Sequence, residues 1–323
     1  MRRTPTVAAI VLNYANFPDT LACVLSLTAA GPDWIVVVDN ASPDDSLDRL
    51  RDWLSAGETE RGGTGRFFRQ AREDAPGCFT PPPDPRVRVF LVSRSVNGGY
   101  AAGNNSGLRL GLALGADAFW ILNNDTVVTP GACAAVRDRL FAAPRPGLCG
   151  ALLCGDADRN IVQCRGGGRT NPLTALSTMN GAGLTQAEAR RTPARDVEKD
   201  LNFIAGACVM ASRTFVETVG FMDEGYFLYC EEQDWAYRAA GKFDLVYAPE
   251  AVVFHKGGRS TGWNGQGFNL KALCRLARSR IRCTILHHPL MLPTVLLFTC
   301  YAALRTAARI AFGRVAAVRG GRA

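Results

Sequence analysis

Polar residues able to do chemistry recur at the ends of four apolar runs in the first half of the chain. They are Asn13-Tyr14-Ala15-Asn16, Asp39-Asn40-Ala41-Ser42, Asn97-Gly98-Gly99-Tyr100-Ala101-Ala102-Gly103-Asn104-Asn105 and Asn123-Asn124-Asp125. A carboxylate such as Asp39 can accept hydrogen bonds from a base or a ribose. The Gly98-Gly99 pair lets backbone approach a ligand closely, and the N–H groups of a helix that follows favour a phosphate. Asp125, after the apolar run Phe119–Leu122, can bind a hard divalent cation that bridges to a diphosphate. Any one of these ends could be only a turn, because Asn, Asp and Gly favour turns. Four in succession point to a nucleotide crevice.

A second cluster lies in Gly220–Trp235. Glu231, Glu232 and Asp234 open a helix that the pattern carries to Gly241, behind the aromatic-rich stretch Tyr226-Phe227-Leu228-Tyr229. Acids at a helix start complement its dipole. Three of them are more than the dipole alone requires, and the aromatic-rich loop before them could form a sugar platform. His255 ends an apolar strand, Ala251–Phe254, and could bind a metal or simply cap the strand.

These residues need a frame that gathers strand ends. Strands are expected over Thr6–Asn13, Trp34–Asp39, Val87–Val92 and Phe119–Leu122. Helices are expected over Phe17–Leu27, Pro43–Leu54 with Ser42 as N-cap, Tyr100–Leu114 and about Gly131–Phe141. Such alternation implies a mostly parallel sheet with helices on both faces and a ligand site beyond the strand C-termini. Residues 58–86 break the rhythm with Gly62-Gly63, Gly65 and Pro81-Pro82-Pro83, and read as an inserted mobile loop. Asn160–Arg195 is Gly- and Thr-rich and poorly periodic. Neither a GxGxxG fingerprint nor a GxxxxGK[ST] loop is present, which argues against a dinucleotide oxidoreductase and a kinase.

Composition bounds the setting. The 323 residues carry a net charge of +8, but all the excess is C-terminal: from Ala251 onward there are twelve Lys or Arg and no acid. The first 250 residues hold 25 basic side chains against 29 acidic. The eleven cysteines form no CxxC pair, as expected of reduced cytosolic thiols, and three histidines are too few for a zinc framework. Met1-Arg2-Arg3 before Val7–Leu12 superficially suggests a signal peptide, yet Asn13, Tyr14 and Asn16 interrupt the apolar run, which reads as a buried first strand. Between Arg282 and Arg305 lie 22 residues without Lys, Arg, Asp or Glu. His287, His288, Pro289 and Pro293 break this segment, and basic residues flank both sides. The expectation is a helical segment over 266–323 that dips into or lies along the cytoplasmic leaflet.

Taken together, Val7–Tyr14, Val36–Ser42, Asn97–Asn105, Leu122–Asp125, Gly206-Ala207, Arg213–Phe215, Gly220–Glu224, Glu231–Trp235, Pro249 and His255 resemble the successive motifs of family 2 inverting glycosyltransferases. The likeness is greatest to the bacterial rhamnosyltransferase-like subgroup and covers residues 6–260. The resemblance implies a GT-A fold over 1–265. It implies that Asn13 and Asp39 hold the nucleotide, with Tyr14, Asn97, Gly98, Gly99, Asn104 and Asn124 around the nucleotide sugar. Asp125 would bind Mg²⁺ or Mn²⁺ through the donor diphosphate, with His255 as a second contact and Asn123 in place of the first acid of the family's Asp-x-Asp motif. Glu232 would be the catalytic base, Glu231 its neighbour, and Asp234 would orient the acceptor. The implied reaction moves a sugar, rhamnose from dTDP-rhamnose as the first choice, to a glycan or lipid-linked acceptor in cell-surface polysaccharide synthesis at the membrane, with no nucleic acid involved. A nucleotidyltransferase would share the sheet and the metal-binding Asp but lacks here an early basic Gly-rich loop. A non-catalytic glycan- or nucleotide-binding module would not need Asp125, Glu232 and Asp234.

Overall fold

The computed structural model describes residues 3–59, 67–71, 73–75, 78–79, 87–257 and 270–302. Most of the 58–86 stretch, the 265/266 boundary and the chain beyond 302 lie outside the described residues.

Four apolar runs form the parallel centre of the sheet: β1 (Val7–Asn13), β2 (Trp34–Asp39), β4 (Val87–Ser93) and β5 (Ala118–Asn123). At the edge beside β4 lies β3 (Phe67–Ala71), also parallel. Part of the stretch expected to be an inserted loop is therefore a sheet strand, supported by backbone pairing that composition does not reveal. Beyond β5 the sheet continues through β12 (Cys208–Ser212), β7 (Pro146–Gly155), β13 (Asp244–His255) and β6 (Thr126–Val128). Within this half, β12 runs antiparallel to both β5 and β7, and β6 antiparallel to β13. The poorly periodic stretch after Asn160 folds into β8 (Val162–Arg165), which pairs with β7, and a small sheet of β9 (Gly167–Asn171), β10 (Leu176–Met179) and β11 (Phe203–Ile204).

Alternate residues of each buried strand face opposite layers. Val7, Ala9, Val11, Val37 and Leu91 pack with α1 (Phe17–Ala30), α2 (Ser46–Thr59) and α4 (Ala132–Phe141). Ala8, Ile10, Val36, Val38 and Phe90 pack with α3 (Gly99–Ala113), α5 (Arg213–Val219) and α6 (Glu231–Ala239). Helix α3 sits low on the sheet because Gly103, Gly107 and Gly111 face it. A Cβ on Gly103 would come within 2.4 Å of the Leu12 side chain, and one on Gly107 within 2.4 Å of Ile10.

Helix α2 starts three residues later than expected. Ser42 is not its cap, because its hydroxyl serves the strand tips instead, as described below. The chain after the sheet forms α7 (Leu270–His287), a turn at Pro289–Met291 and a helical stretch over 292–302. Helix α7 belongs to the domain: Ser279 Oγ donates to Leu228 O at 2.9 Å, and Arg282 pairs with Asp223 at 2.6 Å. No helix among the described residues is long and apolar enough to cross a membrane. The stretch nevertheless exposes Ile285, Leu286, Leu290 (86%), Leu297 (69%) and Tyr301.

Candidate active site

Strand register assembles the site. Asn13 lies opposite Asp39, Asp39 opposite Ser93, and Leu12 opposite Asn123, so four strand tips end on one line. At the first two tips the chain turns through left-handed, non-glycine residues, Ala15 (φ 55) and Ala41 (φ 57). Strain of this kind persists where surrounding bonds fix it. Here Ser42 Oγ accepts from Ala15 N at 2.9 Å and donates to Asp39 Oδ1 at 2.5 Å. Asn13 Nδ2 donates to the same Asp39 oxygen at 2.7 Å, and Asn13 Oδ1 accepts from Thr20 Oγ1 at 2.6 Å. Asn124 Nδ2 closes the chain onto Thr20 Oγ1 at 3.0 Å.

Above these tips opens a cleft of about 180 Å³ lined by Tyr14, Asn40, Asn97, Gly99, Asn123 and Asn124 on one side and by Tyr100, Phe227, Leu228 and Arg275 on the other. Of the residues expected at the nucleotide sugar, Tyr14, Asn97, Gly99 and Asn124 line it. Asn13 and Asp39 lie behind the wall, fully buried and bonded to each other. Asn104 is enclosed in α3, its amide donating to Tyr100 O.

The helix start after Gly98-Gly99 corrects the phosphate expectation. Gly99 N donates to Asn97 Oδ1 at 2.9 Å, and Tyr100 N donates to Phe227 O at 2.8 Å. The first N–H groups are therefore already bonded within the protein. Gly99 is needed for close approach by backbone, not by a ligand: at φ +88, a Cβ there would sit 2.1 Å from Phe227 O. This bond ties the first half of the site to the aromatic loop of the second.

Asp125 and His255 meet where β6 and β13 pair, with His255 Nε2 3.3 Å from Asp125 Oδ1. His255 Nδ1 lies 2.8 Å from Gln163 Oε1, while Gln163 Nε2 donates to His255 O at 2.8 Å. With the Gln163 amide set by its bond to His255 O, its Oε1 is placed to accept from Nδ1, which leaves Nε2 facing the carboxylate and, when unprotonated, able to bind a cation. Two acceptors converging on one point, backed by an outer partner for the imidazole, suit a divalent cation. No group of three or more His, Cys, Asp or Glu placed to hold a metal ion occurs among the described residues. A two-ligand site suits a cation that takes its other oxygens from a diphosphate and water.

Glu232, at the start of α6, does not line the cleft itself but lies behind Tyr100, which does. Tyr229 and Cys230 both take left-handed φ (75 and 67) before α6, which sets the direction of the acids that follow. The Glu232 carboxylate lies beside Gly206, 3.3 Å from where a Cβ on that glycine would stand. Gly206 O accepts from Tyr100 OH at 2.6 Å, and Ala207 O accepts from Asn123 N at 3.1 Å. The Gly206-Ala207 turn thus spans from the tip of β5, two residues before Asp125, to Glu232. Burial raises the Glu232 pKa, against the lowering effect of backbone hydrogen bonds. Burial, and then repulsion from Glu232, raises that of Glu231 further. Glu231 is only 3% exposed, an electrostatic neighbour of Glu232 rather than a wall of the cleft.

Asp234 does not point into the site. Two residues along a helix turn the side chain to the far face. Its carboxylate, 1% exposed, accepts from Arg238 Nε and pairs with His287 Nε2, each at 2.8 Å. It clasps α6 to α7, and acceptor orientation, its expected role, finds no support in this geometry. Sequence reasoning also missed Thr20, Gln163 and Tyr100 as supporting groups and Arg275 as part of the wall. Only Tyr100 carried a signal, standing inside the Gly-rich motif.

Two solved structures share this architecture. One, a crystal structure of GalNAc-T7 with UDP, GalNAc and Mn²⁺, aligns at a TM-score of 0.56 and 14% identity, over 88% of this chain and 48% of that one. The other, the mannosyltransferase PcManGT from Pyrobaculum calidifontis in complex with GDP-Man and Mn²⁺, aligns at 0.51 and 16% identity, over 98% of this chain and 81% of that one. In sequence, the chain is 29% identical over 153 residues to N-acetylglucosaminyl-diphospho-decaprenol L-rhamnosyltransferase from two strains of Mycobacterium tuberculosis. The fold is of the GT-A type that these glycosyltransferase structures share. The sequence match covers 44% of this chain and 48% of each relative, so the chain spans about half the length of the curated relatives it matches. No family profile matches it. The mostly parallel sheet with helices on both faces, expected from the sequence, is the frame of this GT-A domain.

Proposed function

We propose that the chain is an inverting glycosyltransferase that moves rhamnose, first choice dTDP-rhamnose, onto a lipid-linked diphospho-sugar at the cytoplasmic face of a membrane. The observation that supports this is the cleft at the strand tips, lined by Asn123 and Asn124 immediately before Asp125 and by Tyr100, whose hydroxyl lies with the Glu232 carboxylate beside Gly206. The rhamnosyltransferase relatives supply the sugar and the acceptor class.

Tyr14 and Asn40 would receive the base and ribose, with Asn13, Asp39 and Ser42 holding that wall in shape. Asp125 and His255 would hold Mg²⁺ or Mn²⁺, which when bound neutralises charge on the leaving diphosphate. Phe227 and Leu228 would form a platform for the acceptor sugar. Glu232 would take the proton from the acceptor hydroxyl as its oxygen attacks the anomeric carbon from the face opposite the departing diphosphate. A carboxylate whose pKa burial has raised is a stronger base for that step than one in water.

The test is transfer from a panel of nucleotide sugars with Mn²⁺ to a short-chain prenyl-diphosphate N-acetylglucosamine, with the product linkage read by NMR. An inverted anomeric centre is expected. Retention, or no transfer from any donor, would end the proposal. Membrane contact would come through Leu290, Leu297 and Tyr301 beside the basic residues of α7. Leu290→Asp with Leu297→Asp should release the chain from anionic vesicles in a flotation assay. Equal flotation of both forms would remove this surface from the role. Truncation near Lys271 is a poorer test, because it also strips α7 from α6.

A further inference from the structure

Helix α7 brings one charge into the cleft that no step above uses. Arg275, Ser279 and Arg282 follow at helical spacing along the side that meets the 223–228 loop. Arg282 is matched there by Asp223, and Ser279 by the Leu228 carbonyl. Arg275 has no carboxylate within ion-pairing distance among the described residues. Its guanidinium lies over the Phe227 ring, 4.3 Å from the centroid, and forms part of the cleft wall. Stacking occupies a guanidinium's face and leaves its N–H donors directed outward in the plane. A planar fork held this way in the wall of the cleft is suited to the two oxygens of a phosphate.

Position then separates two diphosphates. The donor's belongs with Asp125 and His255, at the β6–β13 pairing. Arg275 stands instead on the loop that runs directly into α6 and Glu232, where an acceptor must sit. Helix α7 also runs on from Arg275 to the exposed apolar residues Ile285 and Leu286, about 15 Å further along its axis. We infer that Arg275, stacked on Phe227, binds the diphosphate of a prenyl-diphosphate-linked acceptor. This rests on the lipid-linked acceptor proposed above.

Binding tests it without requiring transfer. The full chain, Arg275→Ala and Arg275→Lys would be titrated with farnesyl diphosphate, with farnesol, and with dTDP in Mn²⁺. Thermal midpoints would be measured alongside. Arg275→Ala should bind farnesyl diphosphate at least about tenfold more weakly than the unaltered chain. Arg275→Lys, which keeps charge but loses the fork, should fall between. Farnesol and dTDP affinities and the thermal midpoint should stay unchanged. The inference is overturned if the unaltered chain does not bind farnesyl diphosphate, or if Arg275→Ala binds it equally well. A matching loss of dTDP affinity also overturns it, since that would place Arg275 on the donor phosphates. Failure of the glycosyl-transfer reading looks different: no sugar moves from any nucleotide, while the Arg275-dependent lipid diphosphate binding persists.

Discussion

Replacing Asp234 by alanine should weaken the fold far more than the chemistry. The carboxylate is 1% exposed and holds two partners at 2.8 Å, Arg238 and His287. Hydrogen bonds to charged groups contribute about 1.5–3 kcal/mol each, and orphaning a buried partner adds to the loss. Two features reduce the cost. Arg238 keeps the Val219 and Phe221 carbonyls, both at 2.7 Å, and its side chain is 28% exposed. The net loss is therefore about 3 kcal/mol, or a thermal midpoint lower by about 6 °C in a domain of this size. Denaturant midpoints with an unchanged m-value would check it, with turnover measured at saturating substrates on the folded fraction. Turnover should stay within about tenfold, since both Asp234 oxygens are held by Arg238 and His287. Asp234→Asn, able to keep one acceptor, should lose about half as much stability. A variant as stable as the parent but slower by a hundredfold or more would refute this reasoning and return Asp234 to the acceptor.

Glu232→Gln should keep donor affinity and lose at least about a hundredfold in turnover. In the unaltered chain the base acts ionised and its pKa lies above the ordinary glutamate value, so kcat/KM should fall on the acid side through a raised apparent pKa. A rate independent of pH through the acid range would deny Glu232 that role. Asp125→Ala should weaken Mn²⁺-dependent donor binding at least about tenfold by calorimetry, and an unchanged titration would count against the Asp125–His255 pair. Gly99→Ala should lower the denaturation midpoint by the equivalent of about 2 kcal/mol or more, since it strains a left-handed residue and drives Cβ against the Phe227 carbonyl. A midpoint equal to the parent's would show that the loop yields freely.

How much of this was legible depends on the range of the forces involved. The strands β1, β2, β4 and β5 show in the sequence because each is an apolar run buried on both faces, and the site's location follows from where such runs end. Helix starts were less legible: Ser42 and Pro43 make a good local cap, but a contact with Asp39 took the hydroxyl. Strand β3 rests on backbone pairing to β4, which leaves no periodic mark in a Gly- and Pro-rich stretch. Within the acidic cluster, side-chain type cannot tell Glu232 from Asp234. Helical phase relative to α7 decides, and the partner there, His287, lies 53 residues downstream of Asp234. Arg275 was invisible for the same reason, being one of twelve C-terminal basic residues until the helix was laid across the aromatic loop.

The bond from Tyr100 N to Phe227 O has a consequence for engineering. A chimera that exchanges the C-terminal half for that of another chain of this fold creates a junction far from residue 227 in sequence but breaks this stitch unless both parents share it. Such a hybrid would need Gly99 and a loop backbone of matching path. Compatibility of grafted halves should therefore track this one contact better than overall sequence likeness between the parents.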